Sequence, residues 1–152
     1  MQILVKHFSE LSTHELYALL RLRAEVFVVE QNCVYQDVDN LDQDADHLLG
    51  YDGEVLVATA RILKPGSHYP EAAIGRVVTA QTHRNHGLGK TIFQAALSET
   101  QRLYPQQHIK IMAQSYLIKF YSAFGFVVVS EDFLEDGIPH VEMKFLTTET
   151  AE

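Results

Sequence analysis

Cysteine occurs once, at position 33, and tryptophan is absent. A single thiol excludes an internal disulfide and a multi-cysteine zinc cluster, and agrees with a reducing compartment. Long apolar runs are lacking as well. Stretches such as Val26–Val29 and Phe126–Val129 reach only four residues, against roughly 18 or more for a membrane-spanning helix, so no membrane association is expected. Basic charge is scarce: 12 Lys and Arg against 20 Asp and Glu give a net charge of -8, which argues against a dedicated nucleic-acid partner. The opening residues MQILVKHFSE carry no basic segment leading into an apolar core, so no secretory leader is expected and a cytoplasmic location is.

What is present suffices for one globular unit. The 152 residues predict a single domain over 1–152, and 47% hydrophobic residues supply one core and exclude disorder as the main state. The charge is unevenly spread. From Ala72 to Ser98 there is no acidic residue, while Arg76, Arg84 and Lys90 fall in that stretch, with His83 and His86 as further donors. An anion is expected there. Asp37 to Asp46 holds five aspartates in ten residues and reads as a solvated acidic loop, or as a wall that attracts cationic amines. An EF-hand starting at Asp37 would need glycine at 42 and glutamate at 48, but those are Asp42 and Leu48, and no metal is expected.

Periodicity gives the order of elements. Residues 2–8 alternate as a strand, and the capping-box pair Ser12 and Glu15 opens a helix over 13–29. Residues 31–46 read as a loop with one helical turn. Residues 48–51 and 54–63 form a hairpin about Asp52-Gly53, and 72–80 a further strand. A helix over 87–104 stops at Pro105, followed by a strand over 108–113 and a short helix over 116–124 that ends at Gly125. A strand over 126–129, a turn at 135–137 and a strand over 140–146 complete the order β-α-β-β-β-α-β-α-β-β. This order predicts an α+β, three-layer arrangement: a mixed twisted sheet with helices on both faces.

The chemistry concentrates where the strand through Val77, Val78 and Thr79 runs by a polar turn into the helix at 87. Helix N-termini present unpaired N–H groups at the positive end of the dipole, and glycines let an anion approach the backbone. Two nucleotide motifs fail. A Walker A loop ending in Gly89-Lys90-Thr91 needs glycine at 84, which is arginine. A dinucleotide fingerprint from Gly87 needs glycine at 92, which is isoleucine. What remains is R-x-x-G-x-G: Arg84, Asn85, His86, Gly87, Leu88, Gly89. Downstream, Tyr121, Gly125 and Phe126 form a Y-x-x-x-G-F ending.

On these two motifs the sequence resembles the GNAT superfamily of acyl-CoA N-acyltransferases. More narrowly, residues 22–31 (LRAEVFVVEQ) and 135–140 (EDGIPH) resemble its ElaA-like branch. Gln81 and Gln114 stand where the family often has proline and asparagine. The resemblance implies a GNAT fold, acetyl-CoA as cosubstrate and an amine as acceptor. It implies that Arg84, Asn85, His86, Gly87, Leu88, Gly89, Lys90 and Thr91 cradle the coenzyme A diphosphate. Val77, Val78 and Thr79 would pair with the pantetheine amides as an added strand does, and Gln114, Phe120 and Tyr121 would line its path. The Val78 N–H is the expected oxyanion donor. Tyr121 is expected to donate to the departing sulfur, or else to pack with Phe120 and Phe124. For the base that neutralises the amine, Glu30, Glu131, Glu135, Asp136 and His140 stay open as candidates. Cys33 is expected to be a packing residue or a free thiol.

The expected activity is N-acetyl transfer to a primary amine by direct attack in a ternary complex. The alternatives are a non-catalytic acyl-CoA-binding regulatory module on the same fold, and an interaction domain without an anion site. The state, monomer or homodimer, and the acceptor are left open.

Overall fold

The structure, a computed structural model, describes residues 1–147. Strand β1 (Gln2–His7) leads through a short 3-10 turn into α1 (Thr13–Arg23). The start of α1 is fixed by the expected capping box: the Glu15 N–H donates to Ser12 Oγ at 3.0 Å, and the Ser12 N–H to Glu15 Oε1 at 2.9 Å. The helix predicted to run to 29 does not stay α-helical. From Ala24 to Glu30 it widens into a π-helical turn, which buries Val26 and carries Glu30 to Arg84.

Strands β2 (Asp46–Asp52) and β3 (Val55–Leu63) form the predicted hairpin, with Gly53 in the left-handed conformation its turn requires. Then follow β4 (Ala72–Thr79), α2 (Leu88–Leu103), β5 (Ile109–Gln114), α3 (Ile118–Ser122), β6 (Val127–Val128), β7 (Phe133–Glu135) and β8 (Ile138–Phe145). The predicted turn at 135–137 is a hairpin with Asp136 and Gly137 both at positive φ, and β7, too short to show a period, precedes it.

All the strands join one mixed sheet in the order β1-β2-β3-β4-β5-β8-β6, with β7 also paired to β8. Among the described residues, only β4 and β5 are parallel, and they pair at just two positions, Ala72 with Ile109 and Ala73 with Lys110. Side-chain alternation assigns the two faces. Ala58, Ala60 and Ile62 of β3 pack with Ile92, Phe93, Ala96 and Leu97 of α2, whereas Val57 packs with Leu22 and Val26 of the first helix. The helices therefore cover opposite faces, as predicted. On the α2 face, Phe93 is fully buried, and its ring meets those of Tyr121 at 5.0 Å and Phe124 at 4.9 Å, both edge-on.

The aspartate-rich stretch, read as a solvated loop or an amine-attracting wall, is solvated only in part: Asp44 is exposed, but the other acids turn inward. Asp37 and Asp42 are buried and bound to arginines that arrive from three elements. Arg23, wholly inaccessible, donates from Nε to Asp37 Oδ2 at 3.0 Å and from Nη1 to Asp42 Oδ1 at 2.7 Å. Arg61 reaches Asp39 at 2.8 Å and Asp42 at 3.0 Å, and Arg76 donates from Nη2 to Asp39 at 3.1 Å. Six opposite charges thus neutralise one another between α1, β3 and β4. Burial alone would raise the pKa of Asp42 and Asp39, but hydrogen bonds from Arg23 and Arg61 carry both below the ordinary carboxylate value. His47, also buried, is held below its ordinary value by burial, against the opposing hydrogen bond to the Asp42 carbonyl.

Two outcomes follow. On acidification the melting temperature falls in two stages. Below about pH 6.5 the unfolded chain protonates His47 before the folded one does, and below about pH 3.9 the stabilisation from depressed Asp39 and Asp42 is lost as they protonate. His47→Gln removes the upper stage; a single-stage profile in the unsubstituted protein contradicts this. Arg23→Ala leaves two buried carboxylates short of a partner and costs about 3–5 kcal/mol in urea unfolding.

Candidate active site

Beyond Ala73 and Lys110, β4 and β5 part, and the space between them is a cleft of about 870 Å³. A β-bulge shapes its β4 wall. Thr59 faces Val78 and Arg61 faces Gly75, so Arg76 and Val77 together oppose the single residue Ala60, with Arg76 at a φ of 49°. This strained conformation is held by the bonds from Arg76 to Asp39 and to the Asp37 carbonyl, the latter at 3.0 Å.

Past the bulge, the Ala80 N–H donates to Val57 O at 2.7 Å. By the alternation of an antiparallel ladder, Val78 also turns its N–H toward β3, and Thr79 turns toward the open side. The Val78 side chain is buried beside Leu22, Val26 and Val57. Val78 is thus a ladder and core residue as well as part of the cleft lining, and the bulged Val77 beside it lines the cleft too.

The strand ends in a 3-10 turn over Gln81–His83 and an irregular segment in which Asn85 (φ 67°) and Gly87 (φ 73°) adopt left-handed conformations before α2 begins. The backbone N–H groups of residues 85–90 find no acceptor among the described residues; the first bonded one is Thr91, to Gly87 O at 3.1 Å. Six consecutive unpaired N–H groups at the positive end of a 16-residue helix form a cradle for an anion.

Several of the nearby cations already have partners. Arg84 binds Glu30 through both terminal nitrogens and donates from Nε to Thr79 O at 3.3 Å. Its pKa is raised, first of all by the hydrogen bond to Glu30. Arg76 serves the aspartates, and His83 bonds Asp52 at 2.9 Å. Arg84 and Arg76 line the cleft with these partners in place, and backbone amides, with Lys90 exposed beside them, are what the turn offers in addition.

Of the residues singled out in the sequence, Val77, Val78, Thr79, Arg84, Asn85, Leu88 and Gly89 line the cleft from one side, and Gln114, Phe120, Tyr121 and His140 from the other. His86, Gly87, Lys90 and Thr91 sit at its rim rather than in its lining. Burial among the aromatic rings pushes the Tyr121 hydroxyl up to about 12. His140 Nδ1 lies 2.7 Å from the Ile138 carbonyl. A carbonyl only accepts, so Nδ1 carries the proton, and Nε2 of the neutral ring keeps a free lone pair.

Among the candidate bases, Glu30 is committed to Arg84 and Glu131 lies outside the cleft lining, while Glu135, Asp136 and His140 face it. Cys33 lines the cleft too, with Sγ 3.8 Å from Asp136 O. Tyr35 was not foreseen, because its loop has no period to read. Its hydroxyl donates to Asp37 Oδ1 at 3.2 Å, its ring lies 5.7 Å from the Arg76 guanidinium, and burial pushes its pKa up to about 12. Among the described residues, no group of three His, Cys, Asp or Glu stands close enough together to hold a metal, and no helix is long and apolar enough to cross a membrane.

Comparison with known proteins agrees with this geometry. The sequence model of the acetyltransferase (GNAT) domain matches residues 10–147. Protein ElaA of Escherichia coli is 45% identical over 139 residues, 90% of this chain and 91% of that one. A Synechocystis protein, UPF0039 protein sll0451, is 40% identical over 141 residues, 92% of each chain. The crystal structure of an acyl-CoA N-acyltransferase from Pseudomonas aeruginosa superposes with a TM-score of 0.92 at 43% identity, covering 95% of this chain and 99% of that one. That of E. coli ElaA superposes with 0.89 at 42% identity, covering 94% and 97%. Fold, cleft and sequence together make this chain a member of the GNAT acetyltransferase family, within its ElaA-like branch.

Proposed function

We propose that this chain transfers the acetyl group of acetyl-CoA to a primary amine by direct attack in a ternary complex. The observation that carries the reading is the continuity of two features. The open edge of β4 along the cleft leads directly to the unpaired amides at the start of α2. A diphosphate suits those amides in charge, and a pantetheine arm laid along β4 finds the strand edge that β5 leaves vacant. The Val77 N–H then stands nearest the thioester carbonyl, as a donor to the oxygen that gains charge during attack.

The amine must be neutral to attack. At a reference pKa of about 10.4, only about 0.04% is neutral at pH 7, a cost of roughly 4.6 kcal/mol. His140 Nε2, with Nδ1 fixed on Ile138 O, is the group built to take that proton. The nitrogen then forms its bond to the acetyl carbon as the carbon–sulfur bond breaks, and the electron pair leaves with sulfur. Tyr121, with a pKa of about 12, stays protonated. Full transfer to a thiolate of reference pKa about 8.5 is uphill by roughly 5 kcal/mol, so Tyr121 serves as a hydrogen-bond donor that stabilises the leaving sulfur. The proton that completes the thiol comes from the amine through the base or from water.

Calorimetry with CoA tests the coenzyme site, and thiol release with a panel of amines tests turnover. Binding without turnover on any amine would leave a non-catalytic acyl-CoA-binding module instead. Tyr121→Phe lowers kcat by about 10²-fold while the affinity for CoA barely changes; an unaltered kcat removes Tyr121 from the chemistry. His140→Gln lowers kcat/KM most at neutral pH and least near pH 9, where more of the amine is already neutral. A pH profile parallel to that of the unsubstituted enzyme would assign the base elsewhere.

A further inference from the structure

The parted strands do not close the sheet behind the cleft. On the face that carries the aspartate-rich loop lies a second cavity of about 350 Å³, against about 30 Å³ per molecule of liquid water. Ile74, Gly75, Arg76, Ile111, Met112 and Glu135 line both spaces, so the two meet in the gap between β4 and β5.

One part of the second cavity's wall is apolar, and Asp39, Arg61, His68, Arg76, Lys110 and Glu135 make up much of the rest. Leu63 and Ala73 are buried in the apolar part, with Leu41 and Tyr69 packed against them. The basic groups at its margin are matched: Arg61 and Arg76 on Asp39, and Lys110 on Glu142 at 3.0 Å and over the Tyr69 ring at 4.2 Å. The apolar stretch of that wall, between Leu63 and Ala73, can take hydrocarbon out of water, while Glu135 at the junction keeps its carboxylate without an ion pair among the described residues.

Gly75 stands at the junction. A Cβ placed on it meets nothing within 4 Å, and its φ lies outside the left-handed range, so neither crowding nor backbone conformation demands glycine there. What its missing side chain leaves is a passage. Across the gap, Met112 is held by a hydrogen bond from Tyr69 Oη to Sδ at 3.0 Å, and an unbranched thioether swings aside more readily than a branched side chain.

A thioester anchored at α2 and running along β4 reaches this junction acyl end first. We propose that the second cavity is a subsite for the acyl tail, and that this chain takes acyl-CoA donors with medium-length, unbranched acyl groups in addition to acetyl-CoA. The proposal rests on the coenzyme reading above and extends it to the donor.

The test is calorimetry with CoA, acetyl-CoA and hexanoyl-CoA as probes, which needs no knowledge of the acceptor. Each methylene taken fully out of water is worth about fourfold in affinity, and hexanoyl adds four, so hexanoyl-CoA binds at least tenfold tighter than acetyl-CoA. Gly75→Val, which projects two methyl groups into the passage, erases that gain and leaves acetyl-CoA affinity within about twofold. Met112→Trp blocks the passage from the opposite strand and serves if the valine variant does not fold. A gain below tenfold in the unsubstituted protein, or one that survives in the folded variants, overturns the proposal. If CoA itself does not bind, the coenzyme reading falls and the subsite with it; if CoA binds and the chain-length gain is missing, the subsite alone falls.

Discussion

Two residue pairs hold β4 to β5, and the cleft exists because there is no third. A parallel pair continued to the strand ends would seal the sheet. Here β4 is bent away by two residues set against one, at Arg76 and Val77. A non-glycine residue at positive φ costs of order 1–3 kcal/mol unless its surroundings over-determine it. What over-determines Arg76 is its side chain, drawn across to Asp37 and Asp39. Those aspartates stay in place because Arg23 and Arg61 hold them from the other side. The buried charges therefore shape the site, and Arg76 carries them into its lining.

This arrangement also explains a division of labour among the arginines. Three of them, Arg23, Arg61 and Arg76, are consumed by the aspartate-rich segment, and Arg84 clasps Glu30 at the end of the π-helical turn. The clasp ties the first helix to the end of β4, since the same guanidinium donates to the Thr79 carbonyl. The wall of the cleft is thereby one connected body, and the peptide groups of the 85–90 segment are left free of any protein partner among the described residues.

Most of the architecture was legible because its signals are local. The capping box at Ser12 and Glu15, the Asp52-Gly53 and Asp136-Gly137 turns, and the apolar face of α2 each determine a neighbourhood of a few residues. The glycine-broken turn at 84–89 was legible for the same reason. What escaped depends on distant partners. Nothing near Asp37 or Asp42 in the chain announces that Arg23 and Arg61 will neutralise them, so a stretch of five aspartates reads as solvated. The change from α- to π-helix at Ala24, and the turning of Val78 toward β3, likewise follow from tertiary contacts and ladder phase, which a single sequence does not display.

The unpaired peptide groups before α2 have a consequence for discrimination. Dipoles fixed in a backbone act over a few ångströms and only along their own directions, unlike lysine side chains, which attract any polyanion from afar. On a protein of net charge -8, an anion at that bend would be chosen by where its oxygens sit and not by how many charges it brings.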